Sequence, residues 1–364
     1  MKRIVATTFA CALLWTACKK EEPKEKVALP VAPAASASAA APAAAAAGKK
    51  ESDDVCVGPL AAGSGKQVIE LGGQTYERNG YTLTRTSSDA DGQVVLGIMS
   101  DVKEETEDNL KNVTAALEFF KAQKAEAIVF LGDSSETKEG VVKVLKAIAA
   151  GGLPVFAVVG NRECRLHWKE GMAEAQKDAK NLFDFTQIRL FNSNDVSIIS
   201  MPGYYNPTYL HCTDGCRYFP SDVEGLSKLL KEATAAPLLI SHGPPRQEGA
   251  NAVDRIHDGA NVGDPVLGEF LAKNPIPFGA FANIGEAGGK ATDLSGKNVI
   301  AQDTMVNSLY LNPGFMDSIA WQMLDGTTST GMAAVMTIKG RQASYKIKRF
   351  GAAPADPKAP APKK

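Results

Sequence analysis

Five apolar stretches of this 364-residue chain run into side chains that can hold a metal ion or carry a proton. "VVLGIMSD" (94–101) ends in Asp101, "AIVFLGD" (127–133) in Asp133, and "PVFAVVGN" (154–161) in Asn161. "PLLISHG" (237–243) carries His242, and "FGAFANIGEAGG" (278–289) passes through Asn283 and Gly285 to a Gly-Gly pair. Carboxylate and amide oxygens suit hard cations, and imidazole suits softer ones. An Asp that ends one strand is most often a helix cap. Successive strands bringing such groups to one edge call for another reason. Two cations stand among them, Lys103 and Arg162. An arginine fork fits phosphate or carboxylate in bidentate fashion.

Those stretches alternate with amphipathic segments. Residues 104–123 place Leu110, Val113, Leu117 and Phe120 on one helical face. "GVVKVLKAIAAGG" reads as a helix closed by Gly151-Gly152, residues 168–184 as a third helix, and "DVEGLSKLLKEAT" as a fourth. "VSIISMPG" (196–203) and "SLYLNPG" read as strands, and "MAAVMTIKGRQASYKIKRF" as a closing hairpin turning near Gly340. Residues 66–87 predict an edge hairpin, within an N-terminal extension spanning 56–92. Short apolar strands separated by helices mean an α/β domain with a largely parallel sheet, buried on both faces. In such sheets ligands gather at the C-terminal strand ends.

The ordered set "SDVK", "GDSSE", "GNRE", "SHGPP" and "ANIGEAGG" resembles the calcineurin-like metallophosphoesterase superfamily over about residues 93–345. Its pattern is D-x-H, G-D-x-x-D, G-N-H-[DE], a lone H, then G-H-x-H. The resemblance implies an α-β-β-α sandwich with largely parallel or mixed sheets. It also implies two cations about 3.5–4 Å apart, clamping the oxygens of a phosphoryl transfer. By that resemblance Asp133 bridges the metals, and Asp101 and Asp133 serve the first. Asp133, Asn161, His242 and Asn283 serve the second. The histidine of D-x-H is Lys103 here, the G-N-H histidine is Arg162, and the two of G-H-x-H are Asn283 and Gly285. A charged lysine offers no lone pair to a metal. Lys103 is therefore expected to set its ammonium beside Asp101 and Asp133 in place of the first ion. The second site could keep one hard cation, Mn²⁺, Mg²⁺ or Ca²⁺, or none.

Other motifs carry less. "GSGK" (63–66) lacks the first glycine of a phosphate loop, Leu60 standing there, and has Gln67 where Ser or Thr is needed. Ser241-His242 lacks a nucleophile-elbow pattern. His167 and His257 lie on polar loop stretches and read as surface residues. Lys and Arg total 40 against 41 Asp and Glu, a balance with no footprint for nucleic acid.

The N-terminus reads as a bacterial export signal over residues 1–17: Met1-Lys2-Arg3, an apolar run Ile4 to Leu14, then "LLWTAC". That ending resembles a lipobox, with Trp15 where Leu is usual, which makes Cys18 the lipidated N-terminus. Lys19 rather than Asp after it points to the outer membrane by analogy. A secretory signal with a chance cysteine is the alternative. Residues 18–55 read as an Ala/Pro-rich tether, able to reach roughly 120 Å when extended, and 352–364 as a disordered tail. Cys56, Cys164, Cys212 and Cys216 remain in an oxidising compartment. Cys212 and Cys216, in "HCTDGC" beside His211, are expected to pair, which leaves Cys56 with Cys164 by subtraction.

Two functions follow from these readings. One is an envelope-anchored pseudoenzyme that binds an anionic or phosphate-containing ligand or scaffolds envelope partners. The other is a divergent one-metal phosphoesterase.

Overall fold

A computed structural model describes residues 56–87, 91–274 and 276–351. The export signal, Cys18, the tether and the tail lie outside them.

In chain order the elements are β1 (Gln67–Leu71), β2 (Gln74–Asn79), β3 (Thr82–Arg85), β4 (Gln93–Met99), α1 (Glu107–Ala122), β5 (Ala127–Phe130), α2 (Lys138–Ala149), β6 (Val155–Ala157), α3 (Arg165–Asp178) and β7 (Leu182–Asp184). There follow β8 (Leu190–Asn192), β9 (Ser197–Met201), α4 (Pro220–Glu232), β10 (Pro237–Ser241), α5 (Pro265–Lys273), β11 (Phe278–Phe281), β12 (Lys290–Thr292), β13 (Val299–Ile300) and β14 (Leu309–Asn312). β15 (Trp321–Gln322), β16 (Thr328–Ser329), β17 (Met332–Lys339) and β18 (Gln342–Arg349) close the chain.

Two large sheets form. The six-stranded one runs β18-β17-β4-β5-β6-β7, and the ten-stranded one β1-β2-β3-β8-β9-β10-β11-β14-β12-β13. β4 to β7 are parallel, as are β9, β10, β11 and β14; antiparallel strands close the six-stranded sheet at its β18 edge and the ten-stranded sheet at both edges. The side-chain period of two sorts β4: Val94, Leu96 and Ile98 enter the core between the sheets. Val129 and Phe156 of the same sheet join them there, and Ile198, Ile240, Phe278 and Leu311 come from the other sheet. Met99, Ile128 and Phe130 turn to the other face, under α1 to α3. Ile199, Leu239 and Phe281 lie under α4 and α5. The result is an α-β-β-α sandwich of mixed sheets. Gly97 is where helix and sheet come closest, since a Cβ there would lie 2.6 Å from the Phe120 ring of α1.

Helix starts follow ordinary capping. Thr106 accepts from Asn109 N before α1, Thr137 from Gly140 N before α2, and Asp264 from Val266 N before α5. Several elements differ from expectation. The edge hairpin is a three-stranded meander, whose third strand joins β8 in parallel. The third helix stops at Asp178, and Leu182–Asp184 pairs with β6 as a strand. Asn181 stops it there, donating to the carbonyls of Ala149 and Leu153, while Phe183 enters the inter-sheet core. α5 was not anticipated.

The cysteine pairing is corrected. Cys212 does not bond Cys216. The bonds are Cys56–Cys216 and Cys164–Cys212, with Cα separations of 5.2 and 5.3 Å. Cys216 is turned inward, 2% exposed, into the core beneath α1 to α3, where Cys56 packs. Cys212 faces Cys164 at the start of α3, alongside a bridge between Cys164 and Gly215. Closeness in sequence lost to the opposite facing of the two side chains. Peptide mapping of the unreduced protein should yield Cys56–Cys216 and Cys164–Cys212 cross-linked fragments and no Cys212–Cys216 loop. Replacing Cys56 and Cys216 together with Ala should lower unfolding stability by about 2–5 kcal/mol in denaturant titrations.

Candidate metal centre

The ends of β4, β5, β6, β10 and β11 carry the sequence-picked groups to one rim. Their turns are unusual. Of six non-glycine residues with positive φ among the described residues, four are here: Asp101 (53°), Lys103 (66°), Asp133 (59°) and Asn283 (61°). Such backbone is costly for residues with a Cβ and persists where surroundings enforce it. Backbone bonds do so: Asp101 N donates to Gly132 O at 2.9 Å and Lys103 N to Asp133 O at 2.8 Å.

Asp133 is the node. Its Oδ1 accepts the N–H groups of Asn161 and Arg162, each at 2.9 Å, and lies 3.3 Å from His242 Nε2. Gly160 is required here, for a Cβ would lie 2.2 Å from that oxygen. Donor atoms of Asp101, Asp133 and His242 all lie within 4.8 Å of one another, and all three residues are buried. They form a candidate site for a divalent metal, and Asn161 Oδ1 borders it, 2.7 Å from His242 Nε2.

His242 has a further constraint. Nδ1 faces the Leu131 carbonyl at 2.7 Å. Asn161 donates its Nδ2 to Tyr209 O, so its Oδ1 is what meets Nε2. Both ring nitrogens therefore meet acceptors, and making both bonds at once needs the imidazolium. The nearby carboxylates Asp133 and Asp101 raise its pKa against burial, which opposes. A metal at Nε2 would have to displace that proton.

The place of the first metal's histidines is filled differently. A Cβ at Gly285 would stand 2.0 Å from the Phe315 ring, so no side chain fits at this position while that ring is there. Lys103 does not pair with Asp101 or Asp133 as expected. Its ammonium lies 3.8 Å from the Phe315 ring centroid, 5.2 Å from that of Trp321, and 3.5 Å from Asp317 Oδ2. The reason is that an aromatic face and the second oxygen of a nearly buried carboxylate together hold a lysine well. Arg162 does approach Asp133, at 3.9 Å, but its closer partner is Glu136 at 3.1 Å. Each cation thus has its own acid, Asp317 for Lys103 and Glu136 for Arg162. Asn283 turns its amide to donate to Tyr204 Oη at 2.8 Å.

Sequence reasoning passed over four groups: Glu163, Tyr204, Phe315 and Asp317. Glu163 is fully buried, and its carboxylate accepts from the N–H groups of Asp133, Ser134 and Gly160 and from the Ser134 hydroxyl. The acid closing "GNRE" was its signal. The other three lie in no recognisable motif. His211 and His167 meet Glu136, and His257 meets the Gln322 carbonyl, all on the surface side. Cys164, Cys212 and Asp214 also cluster, but bonded sulfurs are not thiolate ligands.

Burial pushes the Asp101 carboxyl up to about 6 and Glu163 up to about 7, with the Asp133 charge adding to both. Raised carboxyls and a raised histidine have the same sign: the folded state binds more protons than the unfolded chain. Their contribution is present at low pH and fades as pH rises through the folded values. In metal-free buffer the melting temperature should therefore fall between pH 5 and 8. Asp101→Asn should flatten the fall between pH 4 and 6 by an amount on the order of 1–3 kcal/mol, read from denaturant titrations at each pH.

The family model of the calcineurin-like phosphoesterases matches residues 94–276, just over half of the chain. No curated protein matches it. One solved chain is 15% identical at TM-score 0.50, over 71% of this chain and all of the other. GAP50, the anchor in the inner membrane complex of Plasmodium, is 12% identical over 71% and 85%, at TM-score 0.47. A dimetal phosphatase from Danio rerio is 10% identical over 71% and 99%, at TM-score 0.42. The family match spans the strands that deliver Asp101, Asp133, Asn161 and His242, and the chain belongs to the calcineurin-like phosphoesterase family.

Proposed function

We propose that the chain is an envelope-anchored lipoprotein that keeps the metallophosphoesterase fold but not two-metal hydrolysis, and serves as a ligand-binding or scaffolding component. One observation carries this reading: Phe315 packs against Gly285, with Lys103 on its ring and Asp317 on the ammonium. A second cation would meet a fixed positive charge there and find no imidazole. Two-metal phosphoryl transfer needs both ions, one for the attacking and one for the leaving oxygen. Arg162 in place of the G-N-H histidine, engaged by Glu136, also removes a proton-transfer group.

The alternative, a one-metal phosphoesterase, draws on the cluster of Asp101, Asp133 and His242. Elemental analysis of the purified full chain after Mn²⁺, Mg²⁺ and Ca²⁺ loading separates the two, together with turnover of an aryl phosphodiester. The pseudoenzyme reading expects at most one metal per chain and turnover no faster than Asp133→Ala. Turnover that tracks bound metal and is abolished by Asp133→Ala would establish the one-metal enzyme instead.

Anchoring rests on "LLWTAC" and the charged run after it. Several acyl chains hold a protein on a membrane where one does not, at ~0.8 kcal/mol per buried CH₂. Intact-mass analysis from a bacterial host should show an acylated N-terminus at Cys18. Cys18→Ala should move the protein from the membrane to the soluble fraction; an unmodified Cys18 would remove this part of the proposal.

A further inference from the structure

A cleft of about 540 Å³ opens where the β12–β13 edge of the ten-stranded sheet meets β18 of the other. Small-molecule sites span roughly 300–1,000 Å³, so it is large enough for one. None of Asp101, Asp133, Asn161, His242 or Asn283 lines it. One wall is backbone at Gly288-Gly289. A Cβ at Gly288 would lie 2.5 Å from Gly314 Cα, and Gly289 has φ 77°, so the pair keeps side chains off this wall.

Charge in the cleft is unevenly matched. Lys290 is half-buried, and among the described residues its ammonium has no hydrogen bond or ion pair. Burial lowers its pKa; the charge of Asp325 raises it, that of Arg255 beside it lowers it, and that of Asp254 raises it. The hydrogen bond of the Arg255 guanidinium is to a neutral acceptor, Asn261 Oδ1, at 3.3 Å. Nearby acids are already engaged. Asp325 is held by Arg349 at 2.8 Å and by Thr327, and Asp254 accepts from Gln247, Gly263 and Asn261. Glu286 also lines the cleft and is the negative group a ligand must avoid. Val299, Ile300 and Leu324 supply apolar lining. Two neighbouring cations held half out of water, with Asp325 and Asp254 already engaged by other donors, are costly, and a bound anion relieves both desolvation and repulsion.

We propose that this cleft binds a small ligand with a carboxylate or phosphate head between Lys290 and Arg255 and an apolar body against Val299, Ile300 and Leu324. The head's chemistry is common to free acids and phosphorylated compounds, and the two probes below distinguish them. Titration calorimetry on the full chain would use phenylphosphonate, which is not hydrolysed, benzoate, and benzyl alcohol as a neutral body of like shape. Phenylphosphonate or benzoate should bind with a dissociation constant below about 1 mM, and benzyl alcohol at least tenfold more weakly, the loss of one charge-assisted contact. The tighter of the two anions identifies the head. Lys290→Met and Arg255→Leu should each weaken binding about tenfold, while Asp133→Asn should change it less than twofold. If one cleft variant fails to melt as the parent does, the other carries the test. Equal binding of benzyl alcohol, loss of binding in Asp133→Asn alone, or no binding of either anion would overturn the proposal.

Discussion

Negative charge gathered in a dry place governs this molecule. Asp101, Asp133 and Glu163 are all buried at one rim, and a buried carboxylate needs a proton, a donor set or a cation. In the two-metal sites of this family the cations do this work. In this chain backbone and side-chain donors meet the carboxylates as well. Asp133 takes two backbone N–H groups and the histidine, and Glu163 takes three N–H groups and a hydroxyl. The positive-φ turns at Asp101, Lys103, Asp133 and Asn283 aim those backbone groups. The sheets set the strand ends at one level, and the two cores on either face of the parallel strands hold that level.

What was legible in the sequence follows from which forces act locally. A parallel strand buried on both faces must be apolar throughout, so β4, β5, β6, β10 and β11 stand out, and so do the polar residues that interrupt them. β7 and β8 are three residues each, too short to show a period, and their place comes from pairing with strands remote in sequence. α5 had a readable start, Asp264 before Pro265, but only nine residues follow. Disulfide partners depend on which way each side chain faces. Cys212 and Cys216 lie near each other in sequence, but one meets Cys164 at the start of α3 and the other is turned into the core against Cys56.

The site divides on the same line. Asp101, Asp133, Asn161 and His242 were found because each ends its own strand. Lys103 was found, but its partners were not, because Phe315 and Asp317 follow β14 in a loop with no motif. A long flexible side chain settles on the best contacts within reach, and spacing along one strand does not list them.

Gly285, Phe315 and Lys103 depend on one another. The ring occupies the space a side chain at 285 would need, and the ammonium rests on the ring. Restoring a histidine at 285 would collide with Phe315. Removing Phe315 would strip the ammonium of its aromatic face and leave Asp317 its main anchor. Restoring a histidine at 103 would free the Asp317 carboxylate in a nearly buried position. Each single step back toward a metal-binding set therefore destabilises what the other positions have built, and contacting residues of this kind do not act additively. Positions 103, 285 and 315 thus form one coupled packing unit.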